Sequence, residues 1–392
     1  MAVSLPSTAE RLLAETFGGA VRLGAGEPLQ EREHVTRFAV LEAPASAPAS
    51  VIAKRPRLRE GQVYDPESAD PTSPAASLFD DWAGLQFLSV VMGAASPAPR
   101  FYAGDRAVGL FLMEDLGQGV NPADILLGAD APAAENFLLD MAAALGQLHA
   151  RTTAHADEFT QMRGALGPYD VSPLQKRYRA WWGEFEKMLA GLRLTPRPGA
   201  LADMDRILAA VADPGLFRAY THGDPCPDNW TLVGDRLRLF DWENGRFRHA
   251  LRDGVYGRML FPTCWCMNRL PADLPERMEA AYRAELAQGC PAAADDTLFY
   301  QAVVEMCGFW TLGVCAGWPR KKVAELIEAD GPWGQATLRQ RVLVRTEIFA
   351  QLTAQFGHLE ALGATIGQVG AHLRALWPVE AESLPVYPAF RV

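Results

Sequence analysis

Two kinds of hydrophobic pattern divide this chain. Near the start, Val35–Leu41 (VTRFAVL) and Val51–Lys54 (VIAK) are short, alternating, β-branched runs. EAPASAPAS between them is a loop by its Pro and Ser content. A third apolar run, Gly109–Asp115 (GLFLMED), also reads as a strand, so the opening third predicts a small antiparallel sheet. One helix interrupts it, with Leu78, Trp82, Leu85 and Leu88 forming a buried stripe at helical spacing. The preceding GQVYDPESADPTSPA is rich in Pro, Ser and Asp and predicts a mobile loop.

After Gly117 the pattern turns helical. Leu138, Met141, Leu145 and Leu148 mark one amphipathic helix, YRAWWGEFEKMLAGL a second, and the stretch before Asp213 a third. Strand and turn chemistry then returns briefly in RAYTHGDPCPDNWTLVGDRLRLFDWENG, where VGDRL signals a hairpin through a Gly-Asp turn. The rest is helical, ending in the periodic stripe Leu359, Leu362, Ile366, Val369 and Leu373. No internal repeat is visible. The reading is a small β-rich lobe at 1–117, a linker at GQGVNP, and a large helical lobe at 118–392.

A length of 392 residues with 49% hydrophobic and 21% charged content suits more than one globular domain. Lys and Arg total 37 against 47 Asp and Glu, a net charge of −10, which does not suit a nucleic-acid binder. The basic run KRPRLR, from Lys54 to Arg59, reads as a solvated strand end. Six cysteines without a CxxC pair predict no disulfide scaffold, and Cys264 and Cys266 read as buried free thiols. The start, MAVSLPSTAERLLAE, has no signal-peptide pattern. Leu298–Trp318 is greasy enough to suggest a membrane span, but Gln301, Glu305 and its glycines favour a buried helix. The expectation is a cytoplasmic protein that binds neither membrane nor nucleic acid.

The hairpin region carries the chemistry. His222-Gly223-Asp224 is followed by Asn229, and Asp241 ends the second strand. Asn229 and Asp241, brought together by the hairpin, can hold a hard cation such as Mg²⁺. Asp224 on the same loop would then be free to accept a proton from an attacking hydroxyl. Phosphoryl transfer requires that division of labour.

HGDPCPDN followed by LFDWE resembles the catalytic and metal-binding signature of the aminoglycoside phosphotransferase and choline kinase family. That resemblance implies an α+β, protein-kinase-like two-lobe fold and an ATP- and Mg²⁺-dependent kinase of small molecules. It implies Asp224 as catalytic base, Asn229 and Asp241 as Mg²⁺ ligands, and His222 and Asp253 as braces of the loop. Lys54, ending VIAK, resembles the strand lysine that grips the nucleotide phosphates. Its carboxylate partner reads as Asp81, one helical turn before Leu85 and so on the buried face. Asp80, about 100° away on that helix, and Glu67 are the alternatives. Glu114 and Leu116 of LMEDLG fall where the family's hinge backbone meets adenine, with Met113 behind the purine or in the core. Gly24 and Gly26 fall where a phosphate-covering loop belongs, although a lone GxG is weak.

The acceptor pocket is expected between 155–200 and 255–345, which hold Trp181, Trp182, Trp265, Trp310, Trp318 and Trp333. Such aromatics would suit a cationic acceptor, but plain core packing of a large helical lobe is the stronger reading. Charge does not decide, because from Ala250 onward 15 acidic residues meet 13 basic ones. Three readings follow: a kinase of a small-molecule hydroxyl, an idle nucleotide-binding protein, and a protein kinase. The presence of Lys54, Asp224, Asn229 and Asp241 together disfavours the second, and the missing activation-segment signatures disfavour the third.

Overall fold

The computed structural model describes residues 4–29, 32–317, 320–382 and 384–391. Trp318, expected among the acceptor-site aromatics, lies outside them. The chain forms two compact units. The first comprises Met1–Gly119, His155–Val171 and Thr231–Arg246, and the second Val120–Ala154, Ser172–Trp230 and Phe247–Val392. Gly117, the expected boundary, falls two residues before the end of the first stretch.

The first unit is built on an antiparallel sheet: β1 (Arg22–Leu23), β2 (Glu27–Leu29), β3 (Arg32–Glu42), β4 (Ser50–Lys54), β5 (Phe101–Asp105) and β6 (Leu110–Glu114). The order is β1-β3-β4-β6-β5, with β2 also on β3. β4 is central, which is why Val51, Ile52 and Ala53 are all buried. In register, Lys54 stands opposite Val35 and Phe111. Gly24–Gly26 makes the turn between β1 and β2.

A helix that the sequence pattern did not announce, α1 (Leu5–Phe17), is capped by Ser4 and ended by Gly18 in the left-handed region. Its Ala9, Leu12 and Leu13, at i, i+3 and i+4, pack on Leu23, Phe38, Val51, Leu110 and Leu112. Helix α2 (Pro74–Val91) starts at an Ser73 cap followed by Pro at N1. It is buried on nearly every side, not along one stripe, because Ala156–Leu166 and the turn Trp242–Asn244 also pack against it. The loop before α2 is irregular, as expected, but not loose. Tyr64 Oη donates to Arg106 O at 2.6 Å, and Arg106 pairs with Glu67 at 2.5 Å.

The second unit is mainly helical. Leu338–Phe356 and Glu360–Leu376 pack closely, and a side chain at Gly363 would collide with Thr353. The terminal stripe is buried as expected, at Leu362, Ile366, Val369 and Leu373. The apolar stretch near 298–318 is the helix Asp296–Cys315, capped by Asp295 and largely buried inside the unit. Arg252 is also buried here, over the rings of Phe309 (4.7 Å), Tyr178 (5.3 Å) and Trp310 (5.4 Å), while Arg341 stacks on Trp333 at 3.9 Å. Two of the expected acceptor-site aromatics, Trp310 and Trp333, are therefore engaged by internal guanidinium groups.

The cysteine expectation needs correction. Cys226 and Cys264 form a disulfide with Cα atoms 5.5 Å apart, and Cys266 is the free, buried thiol of the Cys264–Cys266 pair. The partners are 38 residues apart, so no local spacing signalled the bond.

Two buried histidines give the second unit a pH dependence. Burial pushes His149 down to about 4 and His249 to about 3. Below the unfolded value near 6.5, the unfolded chain binds protons that the folded chain refuses. The stability these neutral rings contribute is thus complete above pH 6.5 and is lost as pH falls toward 4. We expect the thermal midpoint to drop between pH 7 and pH 5, and His249→Gln to flatten that slope. An equal slope in the variant would remove His249 as a cause.

Candidate active site

In the first unit, the end of β4 delivers Lys54 to two carboxylates. Lys54 Nζ lies 2.5 Å from Asp81 Oδ2 and 2.7 Å from Asp241 Oδ1, with all three side chains largely shielded from water. Burial pulls the Lys54 ammonium down, but Asp81 and Asp241 outweigh it and hold it above its ordinary value. Burial, with Asp241 and Glu243 nearby, pushes Asp81 up to about 6 against the pull of Lys54. At neutral pH Asp81 is therefore still an anion, as its 2.5 Å contact with an ammonium requires.

Asp81 has a second task. Its Oδ1 accepts the Trp242 N–H at 3.1 Å, which ties α2 to the residue after Asp241. Asp241 itself adopts φ 68, a left-handed conformation unusual for a residue with a side chain. Such local strain persists where the surroundings over-determine it, and here Lys54 grips the side chain while Asp81 grips the next N–H.

The alternatives to Asp81 are employed elsewhere. Asp80 is as buried as Asp81, contrary to its position off the apolar stripe. Its Oδ1 accepts from Arg163 Nε at 2.6 Å, and its Oδ2 pairs with Arg246. Glu67 pairs with Arg106.

At the expected hinge, the Glu114 N–H already donates to Arg100 O at 2.8 Å, and its carboxylate holds Arg238 at 2.6 Å. Asp115 fixes the exit of β6 through Arg37 and Ser50, both at 2.6 Å. Met113 stands opposite Ile52 on β4.

In the second unit the loop after the strand Arg218–Thr221 is braced through its main chain. His222 Nδ1 accepts the Asp224 N–H at 3.2 Å, which places the imidazole proton on Nε2. Asp253 accepts the Gly223 N–H with both oxygens, at 3.0 and 3.2 Å. The Asp224 carbonyl receives the Cys226 N–H and Asn229 Nδ2, each at 2.8 Å. That last bond uses the Asn229 nitrogen and turns its oxygen to the other side of the amide, the atom a hard cation would take.

The Asp224 side chain meets a group that no motif singled out. Thr263 Oγ1 donates to Asp224 Oδ1, and the Cys226 sulfur lies 3.0 Å from the same oxygen. A disulfide sulfur has no hydrogen to donate, so the bond to the carboxylate is the threonine's. The disulfide likewise occupies both sulfurs of the Cys226, Asp228 and Cys264 cluster, which as thiolates would be metal ligands.

Asn229 and Asp241 each carry an oxygen donor of the kind a divalent hard cation takes, and the Lys54 ammonium is of the kind that meets an anionic phosphate. Comparisons with known proteins agree in class. A model described as the phosphotransferase enzyme family (APH) matches residues 70–293, which include Asp81, Asp224, Asn229 and Asp241. No curated protein matches the chain by sequence. Among solved structures, choline kinase LicA from Streptococcus pneumoniae is 14% identical, with 88% of this chain and 99% of that chain covered and a TM-score of 0.39. Choline kinase from Cryptosporidium parvum Iowa II is 13% identical over 90% and 93%, with a TM-score of 0.43. APH(2")-IIa, in a ternary complex with streptomycin and ATP, is 12% identical over 83% and 97%, with a TM-score of 0.45. The fold is the expected mixed one, a small antiparallel sheet and a helical remainder of protein-kinase-like type. Matched over more than half its length, this chain belongs to the phosphotransferase enzyme family.

Proposed function

We propose that the protein transfers the γ-phosphoryl group of Mg·ATP to a hydroxyl of a small-molecule acceptor. The observation that carries this reading is the Lys54 ammonium seated between Asp81 and Asp241, in a chain of a phosphotransferase family. Asp81 holds Lys54 at the end of β4, where the ammonium meets the nucleotide phosphates. Asn229 and Asp241 would hold Mg²⁺ through oxygen. The bound ion supplies neutralisation of phosphate charge. Asp224 accepts the proton of the acceptor hydroxyl as the oxygen attacks phosphorus, and its main-chain braces keep that carboxylate in place.

Titration of Mg·ATP into wild type, Asp241→Ala and Lys54→Met tests the binding half of this assignment. Asp241→Ala should lose the Mg²⁺ dependence of nucleotide binding, and Lys54→Met should weaken affinity roughly tenfold or more, about 1.4 kcal/mol. Wild-type affinity in both variants would overturn the assignment. For the chemistry, Mg·ATP and pools of amino alcohols, aminoglycosides, sugars and hydroxy acids should yield a phosphorylated acceptor.

A further inference from the structure

We propose that Thr263 is a positioning residue for Asp224, presented to it by the segment Leu260–Met267. The inference rests on the reading of Asp224 as the base. Three groups converge on Thr263 Oγ1: Asp224 Oδ1 in a short hydrogen bond, the Cys226 sulfur at 2.9 Å, and the Tyr256 hydroxyl at 3.2 Å. Burial holds the Tyr256 phenol well above its usual range, so it stays protonated, and its hydrogen is shared between the Gly223 carbonyl at 3.3 Å and Thr263 Oγ1. A disulfide sulfur is a poor acceptor, so the threonine proton goes to the carboxylate, in a charge-assisted bond that fixes the carboxyl group's rotation.

The segment is held in a shape that the chain would not choose by itself. Leu260 (φ 52) and Phe261 (φ 54) are consecutive residues with side chains in the left-handed region. Such conformations persist only where neighbours impose them, and they cluster at functional sites. The neighbours are on hand. Arg345 Nη2 donates to Pro262 O and Arg341 Nη2 to Cys264 O, both at 2.7 Å, so the carbonyls on either side of Thr263 are clamped.

Both arginines are buried, one turn apart on the helix Leu338–Phe356, and among the described residues neither has an ion pair with a carboxylate. Burial pulls Arg341 down to about 10 and Arg345 to about 9. Trp265 O accepts the Gln335 N–H at 2.8 Å, and any side chain on Gly334 (φ 66) would strike that carbonyl. The Cys226–Cys264 disulfide ties the segment to the Asp224 loop itself. All these fixings frame one half-exposed hydroxyl, and it points at Asp224.

The titratable and charged groups around Asp224 are His222 and Asp228 on its own loop, Asp253 and Tyr256 on the next element, and Arg341 and Arg345 behind the segment. Thr263 carries no charge, so its replacement alters none of theirs. Turnover, followed as acceptor phosphorylation or as Mg·ATP hydrolysis, should fall roughly 10- to 100-fold in kcat for Thr263→Val. KM for ATP should be unchanged. Thr263→Ser should restore kcat, and Thr263→Ala should repeat the valine result if valine does not fold. Wild-type kcat in Val or Ala, a KM for ATP that rises in step with the loss of kcat, or a serine variant as impaired as valine, would overturn the proposal. Asp224→Asn in parallel separates the two ideas. If it is as active as wild type, the reading of the base itself fails. If it is inactive while Thr263→Val is normal, only the positioning role fails.

Discussion

Asp224→Asn should lower kcat roughly a hundred- to ten-thousand-fold, the usual contribution of a positioned general base, and leave Mg·ATP affinity near wild type. The change is nearly isosteric, and every brace of the loop acts on main chain or on another residue. His222 takes the Asp224 N–H, Asn229 and Cys226 take its carbonyl, and Asp253 takes the Gly223 N–H. The amide still accepts from Thr263, but it cannot take the acceptor's proton. Folding and nucleotide binding are therefore expected to survive while chemistry does not. Equilibrium titration and single-turnover kinetics on one preparation make the comparison. A variant that binds Mg·ATP and turns over at the wild-type rate would remove Asp224 from the chemistry.

The largest effect on stability is expected from Asp80→Ala, at about 3–5 kcal/mol, the range for breaking a buried ion pair from one side. Asp80 and Arg163 are both almost completely inaccessible, and Arg246 shares the same carboxylate. Truncation leaves two guanidinium groups with no anion between them. Arg163 would keep only long contacts to the carbonyls of Ala76, Gly167 and Pro168, at 3.5 Å, and the rings of Phe79 and Tyr169. Urea unfolding should show a lower midpoint at unchanged slope. A loss below about 1 kcal/mol would place this network with exposed pairs of little net worth.

The two neighbouring aspartates show how far the sequence could be read. Asp81 sits one turn before Leu85, and helical phase alone put it on the buried face toward Lys54. The same logic sent Asp80 outward, and there it failed. Helical phase knows one helix, whereas α2 is also covered by Ala156–Leu166, more than seventy residues further along. The HGD loop, Asn229 and Asp241 were legible because their spacing is local. Thr263 and the Cys226–Cys264 bond were not, since both depend on a contact across about forty residues of intervening chain. The loop before α2 was correctly irregular. Its composition could not reveal that Tyr64 and Glu67 anchor it on Arg106.

The first unit's division into three stretches has a consequence for synthesis. When the ribosome has delivered the six strands and α2, Asp80 has neither arginine, Asp81 lacks its Trp242 N–H, and Lys54 lacks Asp241. An unfinished sheet with a buried acid and no counter-ion is not a stable intermediate. It must wait for residue 246, past the middle of the chain, before its charges can close. Loop closure over such distances is slow, so this unit is completed late even though it is translated first. A fragment cut at the visible change of pattern near Gly117 would therefore hold all six strands of the sheet without the residues that neutralise its interior.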